Sequence, residues 1–485
     1  MLKKIILKGS IFVIILLLIN LTLNSIFIIK TNHREKLLEG LYANTEDQFD
    51  VVLLGSSHMN SGINPNVLWN QYGITSYNYA TGGQPIDLTY YILKEVLKIH
   101  KNPIVVVDLY YLGLTDKFGN EGYVRNALDN LKFSPNKVDA IINCTPKKEW
   151  LNYLFPIFKY HDRWKELEKN DFEFDASKTY YEKGFEAGND SFGKENTSDP
   201  SITEKADLPP KSEEYLNKII DLSKKEGFKL IFTNTPYDYN GTAGSSSWGK
   251  EPAKVFNKVA EISKKNNIPC IDYNKKVNEI GFDFEKDMFN LGHLNVSGAK
   301  KVTLSLGKFL KTNYQLTDHR NDVKYKKWQS DYIHYSYVKA RTDLTEETNI
   351  KNYISLLKDK NYIIVASSND TGISNNVGLK EALTQLGLNF NQENNASSNY
   401  LAVIDDNKVQ SQMVSSSKLS KEFLLNKDFN LKVTTKSDDK NMPSMVLNGV
   451  EYLNKHKGLN IVVYDKLFKE VVDNIYLDSN NVIKR

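Results

Sequence analysis

Cysteine is almost absent from this chain: among 485 residues there are only two, Cys144 and Cys270. Two cysteines exclude a disulfide framework, and the Cys and His spacing of a metal site is also missing, so no metal or other cofactor is expected. Cys270 falls in a short apolar run, where a buried structural thiol is the ordinary role. The net charge is only +4, without a dense basic stripe, so nucleic acid is not an expected partner.

One long stretch, residues 9–29, has no charged residue at all. It is long enough to cross a bilayer. Lys3, Lys4 and Lys8 precede it and favour a cytoplasmic amino terminus. Because no small-residue cleavage site follows, an uncleaved anchor is favoured over a signal peptide. We therefore predict a transmembrane anchor over residues 1–30, a single-pass protein of the cell membrane, and a bulk that lies outside the cytoplasm.

After a short charged stalk, residues 31–48, strand-like and helix-like patterns alternate. Apolar runs of strand length lie at 50–54, 103–109, 228–233 and 268–272, with a weaker one at 76–80, and helical segments lie at 84–100, 211–226, 252–266 and 297–312. Strands that alternate with helices predict a parallel sheet covered on both faces, here an α/β domain over residues 49–312 with a flavodoxin-like three-layer sheet. In such a sheet, ligands bind at the carboxyl ends of the strands.

The remaining segments interrupt or follow this pattern. An insertion at about 112–210 is either a lid or substrate wall, or a surface loop with one amphipathic helix. Within it, His161 and Arg163 either bind an anionic substrate group or have a structural role. Residues 313–345 are polar and Tyr-rich and predict a linker. A second, smaller α/β domain is predicted over 346–485, with strand-like runs at 362–366, 400–404 and 459–464 and a helix at 379–386.

Two short peptides carry chemistry. A Gly-Ser-Ser-His peptide at 55–58 ends the first buried run, and an Asn-Leu-Gly-His-Leu-Asn peptide at 290–295 precedes a helix. A serine becomes a nucleophile when a base accepts its proton, and Ser57 and His293 could form such a pair. His58 adjoins Ser57, but adjacent side chains seldom point together, so we expect His58 to support the site from behind.

Residues 49–312 resemble the SGNH/GDSL hydrolase superfamily in the order of their motifs. Ser57 matches the nucleophile of the family's first block, and His293 matches the base of its last block. The second block supplies a glycine amide, and within the peptide at 78–85 Gly83 is preferred to Gly82 because of its spacing from Asn78. The resemblance implies that the backbone amides of Ser57 and Gly83 donate hydrogen bonds to the oxyanion, which is often the largest catalytic contribution.

Two positions depart from the family pattern. The third block normally supplies an asparagine after the third strand, but none follows the run at 103–109, and Asn234 lies on the next strand instead. The last block normally has an acid three residues before the histidine, where this chain has Asn290, and Asp287 lies six residues before it. Three alternatives stay open: a Ser-His-Asn290 site, a Ser-His-Asp287 site, or a weakened enzyme.

Residues 346–485 resemble the interleukin-like EMT inducer (ILEI/PANDER-like) domain. The matching stretches are 447–452, 457–465, 472–473 and 477–478, with earlier matches at 362–367, 382–383 and 386–387. Relatives of that domain include carbohydrate-binding modules, so the resemblance implies sugar binding. The residues themselves indicate only a compact module without evident catalytic groups.

Together these features predict a membrane-anchored, extracytoplasmic serine enzyme that transfers acetyl or similar acyl groups to a cell-envelope glycan, or removes them from it. The expected partners are an acylated glycan or envelope polysaccharide, the lipid bilayer through residues 9–29, and a membrane acyl exporter. The alternative is a catalytically weak or inactive SGNH-like protein that binds or assembles glycans.

Overall fold

The structure is a computed structural model of the 485-residue chain. It describes residues 2–43, 48–110, 112, 117–172, 177–194, 201–238, 252–368, 377–389, 399–426, 429–435, 444–453, 458–477, 480 and 482–485. Parts of the predicted stalk (44–47), of the insertion (113–116, 173–176 and 195–200) and of the ILEI-like motifs (457 and 478) lie outside the described residues. The chain divides into two compact units, Met1–Tyr335 and Ser336–Arg485.

A five-stranded parallel sheet forms the centre of the first unit. Its strands are β1 (Val51–Leu54), β2 (Ser76–Asn78), β3 (Ile104–Asp108), β4 (Lys229–Asn234) and β5 (Cys270–Asp272). They lie in the order β2-β1-β3-β4-β5, and every neighbouring pair is parallel. The carboxyl ends of all five strands therefore meet at one edge of the sheet, as the sequence predicts for a flavodoxin-like fold.

Helices cover both faces of this sheet. The helices that the structure describes in the first unit are α1 (Leu2–Phe27), which lies apart from the sheet, and α2 (Asn32–Leu38), α3 (Ser57–Gly62), α4 (Pro65–Tyr72), α5 (Ile86–Ile99), α6 (Glu121–Leu128), α7 (Pro135–Cys144), α8 (Trp150–Leu154), α9 (Ile157–Tyr160), α10 (Ser177–Glu182), α11 (Pro210–Glu226), α12 (Pro252–Lys265), α13 (Phe284–Asp287) and α14 (Val296–Asn313). Successive side chains of a strand point to opposite faces. Val52 and Leu54 of β1 accordingly join one core, and Val51 and Leu53 join the other. The three-layer α/β class predicted from the alternating pattern is confirmed.

The first helix, α1, has the character expected of a membrane anchor. Residues Lys3–Phe27 are long and apolar enough to cross a membrane, and the most apolar part has no side chain buried against the protein. At 1.5 Å of rise per residue, the 26 residues of α1 span about 39 Å. Length and composition alone support this property of the helix.

The segment after α1 differs from the predicted stalk. Residues 32–43 form α2 and one π-helical turn (Glu39–Ala43), and Leu37 and Leu41 are fully buried in the core of the first unit. The ammonium group of Lys36 donates to the side chain of Asn60 and to the carbonyl oxygen of Ala80. Burial lowers the pKa of Lys36 to about 8. The sequence predicts a stalk because the segment is highly charged. Two leucines four positions apart nevertheless lie on one helical face, and this face is buried.

The predicted linker is also ordered over most of its length. After a 3₁₀ turn at Val323–Tyr325, residues Lys326–Glu346 form α15, and the boundary between the two units falls inside this helix. Trp328 of α15 is almost fully buried in the first unit, where its ring lies 5.8 Å from that of Phe49. Polar and tyrosine residues are scattered along α15 without a clear apolar period, so the sequence pattern does not predict a helix there.

The second unit contains two antiparallel sheets. Besides α16 (Ile350–Leu356) and α17 (Val377–Thr384), its strands are β6 (Tyr362–Ser368), β7 (Asn399–Asp405), β8 (Lys408–Ser415), β9 (Ser420–Asn426), β10 (Phe429–Thr434), β11 (Ser444–Leu447), β12 (Val450–Glu451), β13 (Leu459–Asp465), β14 (Glu470–Leu477) and β15 (Ile483–Lys484). The sheet orders are β15-β14-β13-β6-β7-β8 and β12-β11-β10-β9. The three predicted strands are β6, β7 and β13, which are buried and adjacent.

Candidate active site

Ser57 lies directly beyond the carboxyl end of β1. The strand is fully buried, and the chain then turns at Gly55, whose φ of +146° is a conformation that side chains other than glycine rarely adopt. A Cβ at Gly55 would also lie 3.0 Å from the carbonyl oxygen of Asp108. Ser56 caps α3, and Ser57 is its first residue. The amide of a residue at this position has no partner within its own helix.

The imidazole of His293 reaches Ser57 from a loop 236 residues further along the chain. Its Nε2 atom lies 2.7 Å from Oγ of Ser57, and its Nδ1 atom lies 2.9 Å from Oδ1 of Asn290. The loop is closed by an antiparallel bridge between Met288 and Leu294. Ser57, His293 and Asn290 therefore form one continuous chain of hydrogen-bonding atoms.

The partners of Asn290 determine the protonation of this chain. The backbone N–H groups of Gly292 and His293 both donate to the same Asn290 atom, Oδ1, at 2.9 and 3.0 Å. Two donors on one atom identify it as the oxygen end of the amide, so Nδ1 of His293 must donate its proton to it. Nε2 is then unprotonated and accepts the hydrogen bond from the hydroxyl of Ser57, which is the tautomer of a general base.

Asp287, the other candidate for orienting His293, is occupied elsewhere. Its two carboxylate oxygens accept from Oγ of Ser297 at 2.8 Å and from Nζ of Lys301 at 2.6 Å. The second oxygen also accepts from the backbone N–H of Asp283 at 2.7 Å. These bonds fasten α13 to α14. The structure thus brings Asn290, and not Asp287, to the imidazole.

His58 packs behind the site. Its ring stacks on Tyr110 with the centroids 3.4 Å apart, and it lies 5.0 Å from the ring of His293. Its Nδ1 atom lies 3.4 Å from Oγ1 of Thr235. Burial lowers the pKa of His58 well below its ordinary value of 6.5. A neutral His58 does not oppose a positive charge that forms on His293 during reaction.

The loop with Gly83 lies beside α3. The Asn78 side chain donates to the carbonyl of Met59 at 2.7 Å and accepts from the amide of Ala80 at 3.1 Å, which connects the loop to α3. The amide of Gly82 donates to Nε2 of His33 at 3.4 Å, so it is used within the fold, and this favours Gly83 as the donor to an oxyanion. Gly83 has a φ of +61°.

No asparagine directly follows β3, and the strand ends instead in a buried aspartate, Asp108. Asp108, the last residue of β3, is buried and accepts from the amides of Tyr110 and Thr235 at 3.0 and 3.1 Å. Burial raises the pKa of Asp108 to about 7. Asn234 ends β4, where its side chain bonds to Asp272. Asp108 therefore connects the ends of β3 and β4 through these two hydrogen bonds.

The insertion supplies a wall of the site that the sequence analysis did not assign to particular residues. A Cβ at Gly83 would overlap the ring of Tyr123 on α6, so this ring covers the glycine. At its other end, the insertion runs along the His293 loop: the amide of Phe192 donates to the carbonyl of Met288 at 2.7 Å, and Gly188 accepts from the amide of Val296 at 3.0 Å. These contacts depend on tertiary structure, and we find no sequence signal that could have revealed them.

His161 and Arg163, by contrast, lie away from the Ser57–His293 pair. Arg163 pairs with Asp171 at 2.7 Å and donates to the carbonyl of Phe27 at 2.5 Å. His161 is exposed, and its Nδ1 atom lies 3.1 Å from the carbonyl of Phe158. Of the two alternatives for this pair, the structure supports a structural role for Arg163.

No family model and no curated protein matches this sequence. Two solved structures are similar in fold. One, provisionally described as an acylhydrolase from Bacteroides fragilis, is 12% identical, with 58% of this chain and 98% of that chain covered at a TM-score of 0.28. The other, provisionally described as a platelet activating factor from Streptococcus pneumonia, is 11% identical, with 57% and 91% covered at a TM-score of 0.26. Similarity at this level does not establish an activity, so the chemistry is argued from the site itself.

The environment of His293 leads to a prediction for pH dependence. Burial lowers the pKa of His293 below its ordinary value of 6.5. A general base acts when it is neutral, so activity should persist as the pH falls through 6.5 and be lost only below it. We expect kcat/KM for p-nitrophenyl acetate, measured from about pH 4.5 to about pH 8, to show its acid limb below 6.5. An acid limb above 6.5 would contradict the buried, neutral imidazole.

Proposed function

We propose that this protein is a membrane-anchored, extracytoplasmic serine enzyme that transfers acyl groups to, or removes them from, a cell-envelope glycan. The observation that carries the proposal is the 2.7 Å contact between Oγ of Ser57 and Nε2 of His293, with Nδ1 held by Asn290. An alcohol and a correctly protonated base in contact form an activated nucleophile.

In the proposed reaction, Oγ of Ser57 attacks the acyl carbonyl carbon while Nε2 of His293 takes the hydroxyl proton. The backbone amides of Ser57 and Gly83 donate to the oxygen that becomes negative. The carbonyl re-forms, the alcohol leaves with the proton from His293, and the acyl group remains as an ester on Ser57. His293 then takes a proton from water or from a sugar hydroxyl, whose oxygen attacks the carbonyl carbon of this ester. The bond between the acyl carbon and Oγ breaks, His293 returns the proton to Oγ of Ser57, and the free acid or the acylated sugar leaves.

Asn290 orients the imidazole but brings no negative charge to the imidazolium that forms. The amide keeps the productive tautomer, so the large loss that follows from a wrong tautomer does not apply here. The remaining deficit is electrostatic, and it predicts an active enzyme that is slower than one with an acid at position 290.

The membrane assignment rests on α1. The helix has the length and apolar composition of a single span, and the lysines that precede its apolar core favour a cytoplasmic amino terminus. The catalytic unit would then act outside the cytoplasm, where a membrane acyl exporter could provide the acyl donor.

The proposed glycan role of the second unit rests on the ILEI-like resemblance. Leu459 to Asp465, within that resemblance, form the buried strand β13, so sugar contacts would belong to other residues.

The second candidate function is a non-catalytic protein that binds or assembles envelope glycans on a decayed hydrolase fold. Two observations favour it: the amide at Asn290 in place of an acid, and Asp108 at the strand end where the family has an oxyanion donor nearby. In this alternative, Ser57 and His293 remain in contact as relics of an ancestral site.

A serine-reactive fluorophosphonate probe separates the two functions. We expect the full-length protein to be labelled at Ser57, and a Ser57→Ala variant to lose both labelling and its effect on envelope acylation in cells. The control is Ser61→Ala, which removes a hydroxyl on the same helix that donates to the carbonyl of Ser57 at 2.9 Å. It should be labelled like the parent protein. An unlabelled parent with unchanged envelope acylation in the Ser57→Ala strain would support the non-catalytic alternative.

A further inference from the structure

Helix α1 ends against a short part of the insertion. The amide of Ile157 donates to Oδ1 of Asn24 at 3.3 Å, and Nη1 of Arg163 donates to the carbonyl oxygen of Phe27 at 2.5 Å. The last carbonyl groups of a helix have no partners within that helix, so Arg163 satisfies one of them. These two bonds fix residues 157–163 at the level along α1 where its apolar run ends.

The surrounding residues, 150–172, expose large apolar side chains to solvent. We call them the interfacial segment; it comprises α8, α9 and the 3₁₀ turns His161–Lys165 and Lys169–Phe172. Its exposed apolar side chains are Leu151, Phe158, Trp164 and Phe172, each between 58% and 64% exposed. Three are aromatic, the residue class that concentrates at membrane–water interfaces. Four large apolar side chains exposed within 22 residues of one another favour an interaction surface in this segment.

The charge of the region fits a lipid surface of any headgroup charge. Residues 147–172 contain six lysine and arginine residues and five aspartate and glutamate residues. A nearly neutral segment is neither repelled by anionic lipids nor dependent on them. Insertion of apolar side chains, and not charge attraction, would therefore drive its contact with a membrane.

We propose that the interfacial segment rests in the headgroup region of the bilayer that α1 crosses. The inference depends on the anchoring in the proposed function and adds a second membrane contact to it. The bilayer is the occupant because the segment is bonded to the end of the spanning helix itself, so a span through α1 brings these side chains to the lipid surface.

The proposed membrane contact limits how far the Ser57–His293 site can lie from the bilayer. His33 lies six residues after Phe27 and accepts a hydrogen bond from Gly82, next to the proposed oxyanion donor Gly83. Six residues extend at most about 22 Å, and the His33 side chain and its hydrogen bond add about 8 Å, so this loop lies within about 30 Å of the end of α1. A cavity of about 340 Å³ lies beside the same chain exit, between Ile28, Ile29 and α6. The site is held near the membrane, where its acyl substrates must be accessible.

Site-directed spin labelling of the full chain in lipid nanodiscs tests the proposal. We would introduce single cysteines by Phe158→Cys and Phe172→Cys and compare accessibility to oxygen, which partitions into the bilayer, with accessibility to a water-soluble nickel complex. The expected result is an oxygen-to-nickel ratio higher than at a water-exposed site. Unsubstituted protein labelled in parallel measures the background from buried Cys144 and half-buried Cys270.

The matched control is Val323→Cys. Val323 is 70% exposed in another 3₁₀ turn, close to His319, which pairs with Asp50 at the amino-terminal edge of the sheet. Its label should be accessible mainly to nickel.

A label at Ile15→Cys reports insertion of α1 itself. If Ile15 is in lipid but Phe158 and Phe172 match Val323, only the present inference fails. If Ile15 is in water, the anchoring fails with it. Labels at Phe158 and Phe172 that are shielded from both reagents would indicate a second copy of the chain and overturn the lipid contact.

Discussion

Replacement of His293 by alanine is expected to lower kcat for ester cleavage by at least about three orders of magnitude. The imidazole is the group that contacts the Ser57 hydroxyl, at 2.7 Å. Without it, Oγ must attack as a neutral alcohol whose proton passes to water. The measurement is steady-state hydrolysis of p-nitrophenyl acetate by the purified full-length protein.

A double variant makes this test specific. Residues that act as one unit have non-additive effects, so Ser57→Ala combined with His293→Ala should be no slower than either single variant. The matched histidine control is His161→Ala, because His161 is exposed and bonds only to its own segment among the described contacts. It should keep the parent rate. Multiplying losses in the double variant would mean that Ser57 and His293 do not act together.

Conversion of Asn290 to aspartate should raise activity and move its pH profile. Oδ1 of Asn290 already accepts from Nδ1 of His293 and from the amides of Gly292 and His293. A carboxylate can accept the same bonds and adds a negative charge beside the imidazole. Charge-assisted hydrogen bonds are roughly twice as strong as neutral ones. We expect kcat near pH 8 to rise about ten- to a hundredfold.

The sign of the pH shift follows from the charge. A carboxylate at position 290 favours the imidazolium and raises the pKa of His293 from its lowered value. The acid limb of kcat/KM should therefore move to higher pH in Asn290→Asp. Asn290→Ala removes the acceptor, frees the imidazole to rotate and should lower kcat about a hundredfold.

Asp287→Asn is the matched control for these variants. It changes a carboxylate close in sequence to His293, but one that bonds to Ser297 and Lys301. It should lower the free energy of unfolding while the pH profile stays unchanged. A shifted profile in Asp287→Asn, together with no shift in Asn290→Asp, would mean that Asp287 orients the imidazole during catalysis.

The fold of the first unit was largely predictable because it follows local rules. Each of the five predicted strands is present within a few residues, and helices 84–100, 211–226, 252–266 and 297–312 correspond to α5, α11, α12 and α14. Short apolar runs become buried strands, and amphipathic segments between them become covering helices. Neighbouring strands are parallel because each crossover helix returns the chain to the same end of the sheet before the next strand begins.

The differences between the predicted and observed elements have more than one cause. The predicted stalk is packed because Lys36 finds a carbonyl and an amide partner inside the first unit. The predicted linker is helical because the tertiary contacts of Trp328 stabilise a sequence without a clear period. In the second unit, β8, β9 and β10 were missed because they are partly exposed or lack a strict alternation. For Lys36 and Trp328, partners distant in sequence outweigh the local pattern.

For the site, the sequence alone pointed to Ser57 and His293 as the candidate nucleophile and base, because their short motifs and their places after strands can be read locally, and the structure brings the two side chains into contact. Only the tertiary structure decided which neighbour holds the imidazole. Asn290 and Asp287 are both within reach by spacing, but the backbone turn closed by the Met288–Leu294 bridge directs the amide to Nδ1. The carboxylate is directed toward Lys301 instead. Spacing along the chain would allow either residue to contact the imidazole of His293, and the conformation of the loop determines that Asn290 does.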